Sequence, residues 1–285
     1  MLLKVEVGVP YAVIPFRMLS MSDPDAGAAM AQEEVLSGGN MGGAVRVGVS
    51  VRRRSGAWSS TIQRLLRHLR RHGLEWVPEP LGRDRDGRDS VSYLAGEVPQ
   101  YPLPDWIWSE GVLIDAARHL AQLHAAGADF DTTNASWQLP AHEPVEVICH
   151  NDFAPYNMVF VDGRLTGVID WDTASPGPRV WDLAYLAYRL VPLTDPANGD
   201  GLDSQVDERA RRLRLLCDAY RRYHGHEVDT AAVLPATVQR LYDLADFTQA
   251  RADAGHEDLR SHVGLYRRDA AWIVAHTEAL TGAAG

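Results

Sequence analysis

Lysine is almost missing from this chain of 285 residues: Lys4 is the only one. Without a later lysine the pattern G-x-x-x-x-G-K cannot be written, which excludes a Walker-type phosphate loop. No G-x-S-x-G elbow occurs either, which argues against a serine hydrolase. Cysteine is scarce as well. Cys149 and Cys217 are the only two, and both lie in apolar patterns that read as reduced, buried thiols rather than a disulfide. No C-x-x-C or H-E-x-x-H accompanies them, so the usual zinc ligand sets are absent. No apolar run approaches the roughly 20 residues of a spanning helix. At the start of the chain Lys4, Glu6, Pro10, Pro15 and Arg17 interrupt the apolar block that a secretory signal requires. The expectation is a cytoplasmic protein.

The net charge of −10 is unevenly placed: 13 basic and 11 acidic residues up to Glu97, then 15 and 27 beyond it. That second part repels a polyanion, and no basic stripe compensates, so neither nucleic acid nor a membrane is an expected partner. A cationic small molecule is attracted instead, and the acids that could line a pocket for it cluster at Asp243, Asp246, Asp253, Glu257 and Asp258.

Residues 1–32 read as an N-terminal extension of linker composition, and methionines at 18, 21 and 30 leave its true start open. Residues 33–97 read as a small β-rich lobe. Val35-Leu36 leads into the glycine-rich run Ser37 to Gly43. Val45, Val47, Val49 and Val51 then alternate with Arg46, Gly48, Ser50 and Arg52 as one strand. Alternation puts Arg52 and Arg54 on its polar face and Arg53 on the opposite one. Thr61 to His72 reads as a helix with Ile62, Leu65, Leu66 and Leu69 on one face and Gly73 as its stop. Leu81 and Val91 to Leu94 flank a charged hairpin turn, Asp84 to Arg88. The Pro/Trp-rich stretch Val98 to Trp108 suits a hinge. Residues 98–285 carry helical stripes at Leu113 to Leu123, Leu213 to Tyr220, Leu234 to Phe247 and Ala270 to Leu280. One short β region, Val145 to Asp170, interrupts them. This is an α+β, two-lobed pattern, with any ligand expected in the cleft between a β-rich N-lobe and a larger helical C-lobe.

That β region carries the chemistry. A buried strand delivers the polar loop His150-Asn-Asp152-Phe-Ala-Pro-Tyr-Asn157, and two further strands meet at Asp162-Gly163, a strong two-residue hairpin signal. With 161 opposite 164, Asn157 faces Val168, and Asp170 becomes its diagonal neighbour, roughly 7–8 Å away. One carboxamide and one carboxylate form the incomplete oxygen set expected for Mg²⁺ completed by water and phosphate. Asp152, arriving at the same end, can accept a hydroxyl proton, and phosphoryl transfer asks for little more than such positioning and charge neutralisation.

The spacing H-x-D-x-x-x-x-N, with an Asp thirteen residues further on, matches the catalytic and metal-binding loops of protein kinases. The flanking residues, Val168-Ile-Asp-Trp-Asp172, Leu123-His124 upstream and Trp181-Asp-Leu-Ala-Tyr185 downstream, resemble the aminoglycoside phosphotransferase family, kinase-like enzymes that include choline-kinase relatives. The resemblance covers about Glu33 to Arg189 and implies a protein-kinase-like fold. By that likeness Asp152 is the catalytic base, Asn157 and Asp170 hold Mg²⁺, His150 braces the loop, and Asp182 is a structural carboxylate. Gly39, Gly42, Tyr93 and Leu94 fall at the nucleotide, ATP or GTP. Asp172 is either a second metal neighbour or a solvated residue. No motif marks the residues that bind the acceptor. The implied activity is transfer of a nucleotide's γ-phosphoryl group to a hydroxyl of a small, polyhydroxylated or cationic acceptor such as an aminoglycoside.

Three features depart from the pattern. The loop reads His-Asn-Asp where the family has His-Gly-Asp, so Asn151 is expected to strain or re-aim it. The glycine run lacks a clean G-x-G-x-x-G. The phosphate-gripping lysine of the third strand cannot exist, which leaves Arg52 as its positional substitute, and the helix that should offer this cation an acid has only Gln63 or His68 to give. The alternative consistent with these losses is a pseudokinase that binds nucleotide without turnover.

Overall fold

In a computed structural model of the chain, residues 33–36, 43–198, 202, 205–224 and 228–282 are described. The N-terminal extension at 1–32 and the glycines Gly39 and Gly42 lie outside the described residues. Strands β1 (Glu33–Leu36), β2 (Ala44–Val47) and β3 (Ser50–Arg53) follow one another as antiparallel neighbours. The apparent single strand over 45–51 is therefore two. The chain reverses at Gly48-Val49, where Gly48 has φ +60° and Val47 faces Ser50. A two-residue hairpin loop needs positive φ at its first central position, and glycine adopts it without a Cβ clash. Val49 at the tip is 83% exposed, which marks it as loop rather than the apolar face of a strand.

Helix α1 (Ser59–Arg71) buries Ile62, Leu65, Leu66 and Leu69, the face its spacing predicts. Strands β4 (Pro80–Arg83) and β5 (Asp89–Ser92) complete an antiparallel sheet in the order β1-β2-β3-β5-β4. The chain then crosses to the helical part. Glu97 exchanges both backbone hydrogen bonds with Phe160, each 2.8 Å. A Cβ on the preceding Gly96 would lie 2.5 Å from the Phe160 carbonyl oxygen, so only glycine permits this approach.

Helix α2 (Glu110–Gly127) starts at Ser109, whose side chain accepts from the Val112 amide. It is buried around most of its circumference, Leu113, Ala116, Ala117, Leu120 and Leu123 included, and so runs through the core. Two small antiparallel ladders follow: β6 (Val147–Cys149) with β9 (Ser175–Gly177), and β7 (Met158–Val161) with β8 (Arg164–Val168). Strand β9 extends the β region beyond its expected end at Asp170. Helices α3 (Arg179–Leu190), α4 (Val206–His224), α5 (Thr230–Asp253), α6 (Arg260–Ala275) and α7 (Thr277–Thr281) complete the chain; the stripe Ala270 to Leu280 breaks into two helices at His276. The α+β order read from the sequence is the one observed, a small antiparallel sheet followed by a mainly helical part. Cys149 and Cys217 are free and buried. Among the described residues no helix is long and apolar enough to cross a membrane.

Candidate active site

The loop after β6 is held from below by one carboxylate. Asp182, fully buried in the first turn of α3, accepts from the amides of His150 (2.6 Å) and Asn151 (2.8 Å), and its Oδ2 lies 3.3 Å from His124 Nε2. Burial alone would raise the Asp182 carboxyl; the His124 hydrogen bond and the positive field around it, that of Arg240 included, outweigh it and hold the carboxyl below its ordinary range. Asn151 sits at φ +66°, the left-handed region where glycine is free and asparagine is among the best-tolerated other residues. Its Nδ2 donates to Thr173 O and Ser175 Oγ, both at 2.8 Å. Asparagine in place of the family's glycine thus gains two anchors. Arg240 of α5 donates to the Asn151 carbonyl and, at 3.4 Å, to that of Trp181.

His150 ties this loop to the end of β8. Its Nδ1 accepts from the Asp152 amide at 3.3 Å and its Nε2 meets the Ile169 carbonyl at 3.1 Å, the pattern of a neutral ring protonated at Nε2. Burial lowers its pKa from the ordinary histidine value, in keeping with that form. Asp152 then presents a carboxylate with both oxygens engaged: Tyr156 OH donates to Oδ1 at 2.6 Å and Asn157 Nδ2 to Oδ2 at 2.8 Å.

The hairpin that carries Asn157 and Asp170 differs from the expected one by a single residue. Its turn is the expected Asp162-Gly163, with φ +50° and +71°, and Val161 faces Arg164. A bulge then shifts the register, so that Val159 faces Gly167 and Met158 faces Val168. Thr166 takes up the extra position, its Oγ1 donating to the Val159 carbonyl at 3.2 Å. The Ile169 amide donates to the Asn157 carbonyl at 2.9 Å, so Asn157 lies opposite Ile169 and not Val168. Asp170 turns out of the strand at φ +62°.

Asn157 Nδ2 also donates to the Asp152 carbonyl at 2.9 Å, which fixes the amide's orientation and leaves Oδ1 as its outer end. Among the described residues no donor reaches that oxygen. Asp170 is surrounded by protein yet keeps 40% of its side-chain surface open. Burial raises its pKa, Arg53 opposes the rise, and the Asp152 charge adds to it. Asp172 is pushed up to about 6 by burial, again against Arg53 and with the Asp170 charge adding. Two carboxylates and an outward amide oxygen are hard oxygen donors, and they fit a magnesium-class cation.

The cation that faces them is Arg53. Its Nη2 is 2.7 Å from Asp172 Oδ1 and its Nη1 is 3.5 Å from Asp170 Oδ1. Arg52, the expected substitute, points the other way, with Nη1 3.6 Å from Asp84 Oδ2. The hairpin at Gly48 is the reason. Val45 pairs with Arg52 and Arg46 with Val51, so the second strand's faces are inverted relative to an uninterrupted alternation. Neither Gln63 nor His68 provides the expected acid partner. Gln63 bonds to Gly82 and Ser90 of the sheet, and His68 to Ala126 and Asp129. Tyr93 continues the face that carries Arg46 and lies 3.9 Å beneath its guanidinium. Leu94 packs where a Gly167 side chain would be. The acids singled out for a cationic acceptor all face outward. Asp253 and Glu257 pair with Arg260, Asp246 with Arg267, Asp243 accepts from Gln239, and Asp258 is exposed.

Residues 98–225 match the phosphotransferase enzyme family. Over 266 residues, 89% of this chain and 99% of the relative, the sequence is 32% identical to the trifolitoxin immunity protein of Rhizobium leguminosarum bv. trifolii. The chain belongs to the phosphotransferase enzyme family. It is a small-molecule phosphotransferase. Solved structures share the fold of this phosphotransferase at low identity. A choline/ethanolamine kinase family protein from Mesorhizobium loti superposes with TM-score 0.60 at 18% identity, covering 89% of this chain and 93% of that one. Amicoumacin kinase hAmiN, solved with AMP-PNP, Ca²⁺ and Ami, superposes with TM-score 0.61 at 12% identity, covering 85% and 88%.

Proposed function

We propose that the protein transfers the γ-phosphoryl group of ATP or GTP, with Mg²⁺, to a hydroxyl of a small polyhydroxylated acceptor. The observation that carries this reading is the Asp152 carboxylate, fixed by Tyr156 and Asn157 beside the open oxygens of Asn157 and Asp170. Asp152 orients the acceptor hydroxyl and takes its proton as the oxygen attacks the γ-phosphorus. The bond from that phosphorus to the bridging oxygen breaks, and a nucleoside diphosphate leaves. Asn157 and Asp170 would hold the metal, which neutralises charge on the phosphates. His150 and Asp182 keep the loop in register.

The test is a panel of sugars, amino-sugars and amino-alcohols, scored for acceptor-dependent release of ADP or GDP. The likeness to an immunity protein brings toxin-like hydroxyl compounds into that panel. Nucleotide binding with no release under any acceptor would count against transfer and favour the pseudokinase reading, which the pairing of Arg53 with both Asp170 and Asp172 specifically supports.

Two outcomes separate the roles. Asn157→Ala or Asp170→Asn raises the Mg²⁺ concentration for half-maximal activity, since each removes an oxygen donor; an unshifted Mg²⁺ titration contradicts the ligand assignment. Arg53→Ala raises the nucleotide KM more than Arg52→Ala does, because Arg53 alone of the two faces the carboxylates. An equal or reversed ranking shows that phosphate meets the sheet on its other face.

A further inference from the structure

Arg189, near the end of α3, lies in a cage of tyrosines that adjoins the Asp152 carboxylate. Its guanidinium carbon is 4.7 Å from the ring centre of Tyr188, 5.2 Å from Tyr185, 5.7 Å from Tyr156 and 6.0 Å from Tyr101. A hydrogen-bond chain joins the cage to Asp152: Arg189 Nη2 donates to Tyr185 OH (3.1 Å), Tyr185 OH and Tyr156 OH share a bond (2.8 Å), and Tyr156 OH donates to Asp152 Oδ1 (2.6 Å). Arg189 Nε is buried with no hydrogen-bond partner. Among the described residues no carboxylate is ion-paired with Arg189. Two carboxylates are joined to the cage at second hand, Asp152 through Tyr156 and Asp269 through Tyr188, whose hydroxyl donates to Asp269 at 2.7 Å. A narrow cavity of about 10 Å³ reaches Arg189 between Tyr101, Trp108, Tyr188 and Asp269, room for about one water-sized group.

Several aromatic faces converging on one point form the usual receptor for an ammonium ligand, because the ring faces carry negative potential. Here that place is taken by a cation belonging to the protein. An incoming ammonium would lose the ring faces to Arg189 and meet a like charge in a poorly hydrated site, where repulsion is little screened. A neutral oxygen group meets no such repulsion; the hydroxyl protons of Tyr156, Tyr185 and Tyr188 are already committed to Asp152, Tyr156 and Asp269, so the contrast is one of charge.

We infer that Arg189 is a specificity-determining residue: by filling the tyrosine cage beside Asp152 it excludes cationic groups from the part of the acceptor nearest the reacting hydroxyl and admits neutral ones. The inference rests on the phosphotransferase reading with Asp152 as base, but its test needs no turnover. Calorimetric binding of choline is compared with that of 3,3-dimethylbutan-1-ol, its uncharged isostere, for the wild type, Arg189→Gln and Arg189→Lys, each saturated with nucleotide. The wild type and Arg189→Lys bind the neutral alcohol more tightly than choline by about tenfold or more. Arg189→Gln, with the cage vacated, narrows or reverses that ratio by a similar factor. The inference is overturned if choline binds the wild type as tightly as its isostere, or if the ratio is unmoved in Arg189→Gln. It is also overturned if neither alcohol binds any of the three proteins, since the cage is then no acceptor wall. Should Arg189→Gln fail to fold, the wild-type ratio alone decides. A failure of the transfer reading registers separately, as wild-type nucleotide turnover that no acceptor stimulates, and it leaves these binding ratios as they are.

Discussion

Replacing Asp152 by asparagine lowers turnover by at least about 100-fold, the lower end of what a positioned general base contributes. Nucleotide affinity stays within a few-fold, because the carboxylate's two partners in the structure are Tyr156 and Asn157 rather than the sheet that carries Arg53. The substitution is nearly isosteric but not silent structurally. If the new amide keeps its oxygen toward Tyr156, its nitrogen faces Asn157 Nδ2, donor against donor, at a cost of about 1 kcal/mol. A small drop in melting temperature therefore accompanies the large loss of rate. Turnover within a few-fold of the parent would remove Asp152 from the chemistry altogether.

Asp182→Ala has its large effect on stability. The substitution strands the buried amides of His150 and Asn151 and removes the partner of His124. Breaking a buried charged network from one side costs about 3–5 kcal/mol. At roughly 2–4 °C per kcal/mol for a chain of this size, that lowers Tm by on the order of 10 °C in calorimetry. The sign of the pH dependence follows from the lowered carboxyl. The folded state holds the proton less tightly than the unfolded state, so the contribution is present above the ordinary aspartate range. It is lost as pH falls through the lower folded value. The gap between parent and variant should thus close on acidification. A gap that widens toward low pH, or a Tm change below about 2 °C, would show that the loop is held by other contacts.

The loop that bears Asp152 is legible in the sequence because it belongs to a contiguous run whose turn chemistry is unambiguous, whereas Asp182, in the first turn of α3, is marked only by the family resemblance around Trp181 to Tyr185. Asp162-Gly163 fixes a hairpin wherever it stands between apolar strands, and His150 to Asn157 needs no tertiary information to be read as a loop. The errors came where one residue alters a register. Gly48 can be a strand residue or a turn, and the alternation of valines around it fits both; taking it as strand put Arg52 and Arg53 on each other's faces. Val47-Gly-Val-Ser50 was the available signal. Thr166 gave no signal at all, since a bulge is decided by how two strands pair and not by the composition of either. The tyrosine cage was equally invisible. Tyr101, Tyr156, Tyr185 and Arg189 come from three separate segments and converge only when α3 packs beside the loop. The outward-facing acids of α5 and its following turn show the limit of charge counting: the surplus is real, but neighbouring arginines and solvent absorb it.

The bond from Arg240 to the Asn151 carbonyl joins helix α5 to the loop that bears Asp152, and the same guanidinium lies 5.0 Å from the Trp181 ring centre and 4.4 Å from that of Tyr185. The α5–α6 hairpin is therefore not an interchangeable module that could be swapped to change acceptor preference while leaving the reaction centre intact. Any graft that exchanges it must carry an arginine at this position, or the loop that bears Asp152 loses a support.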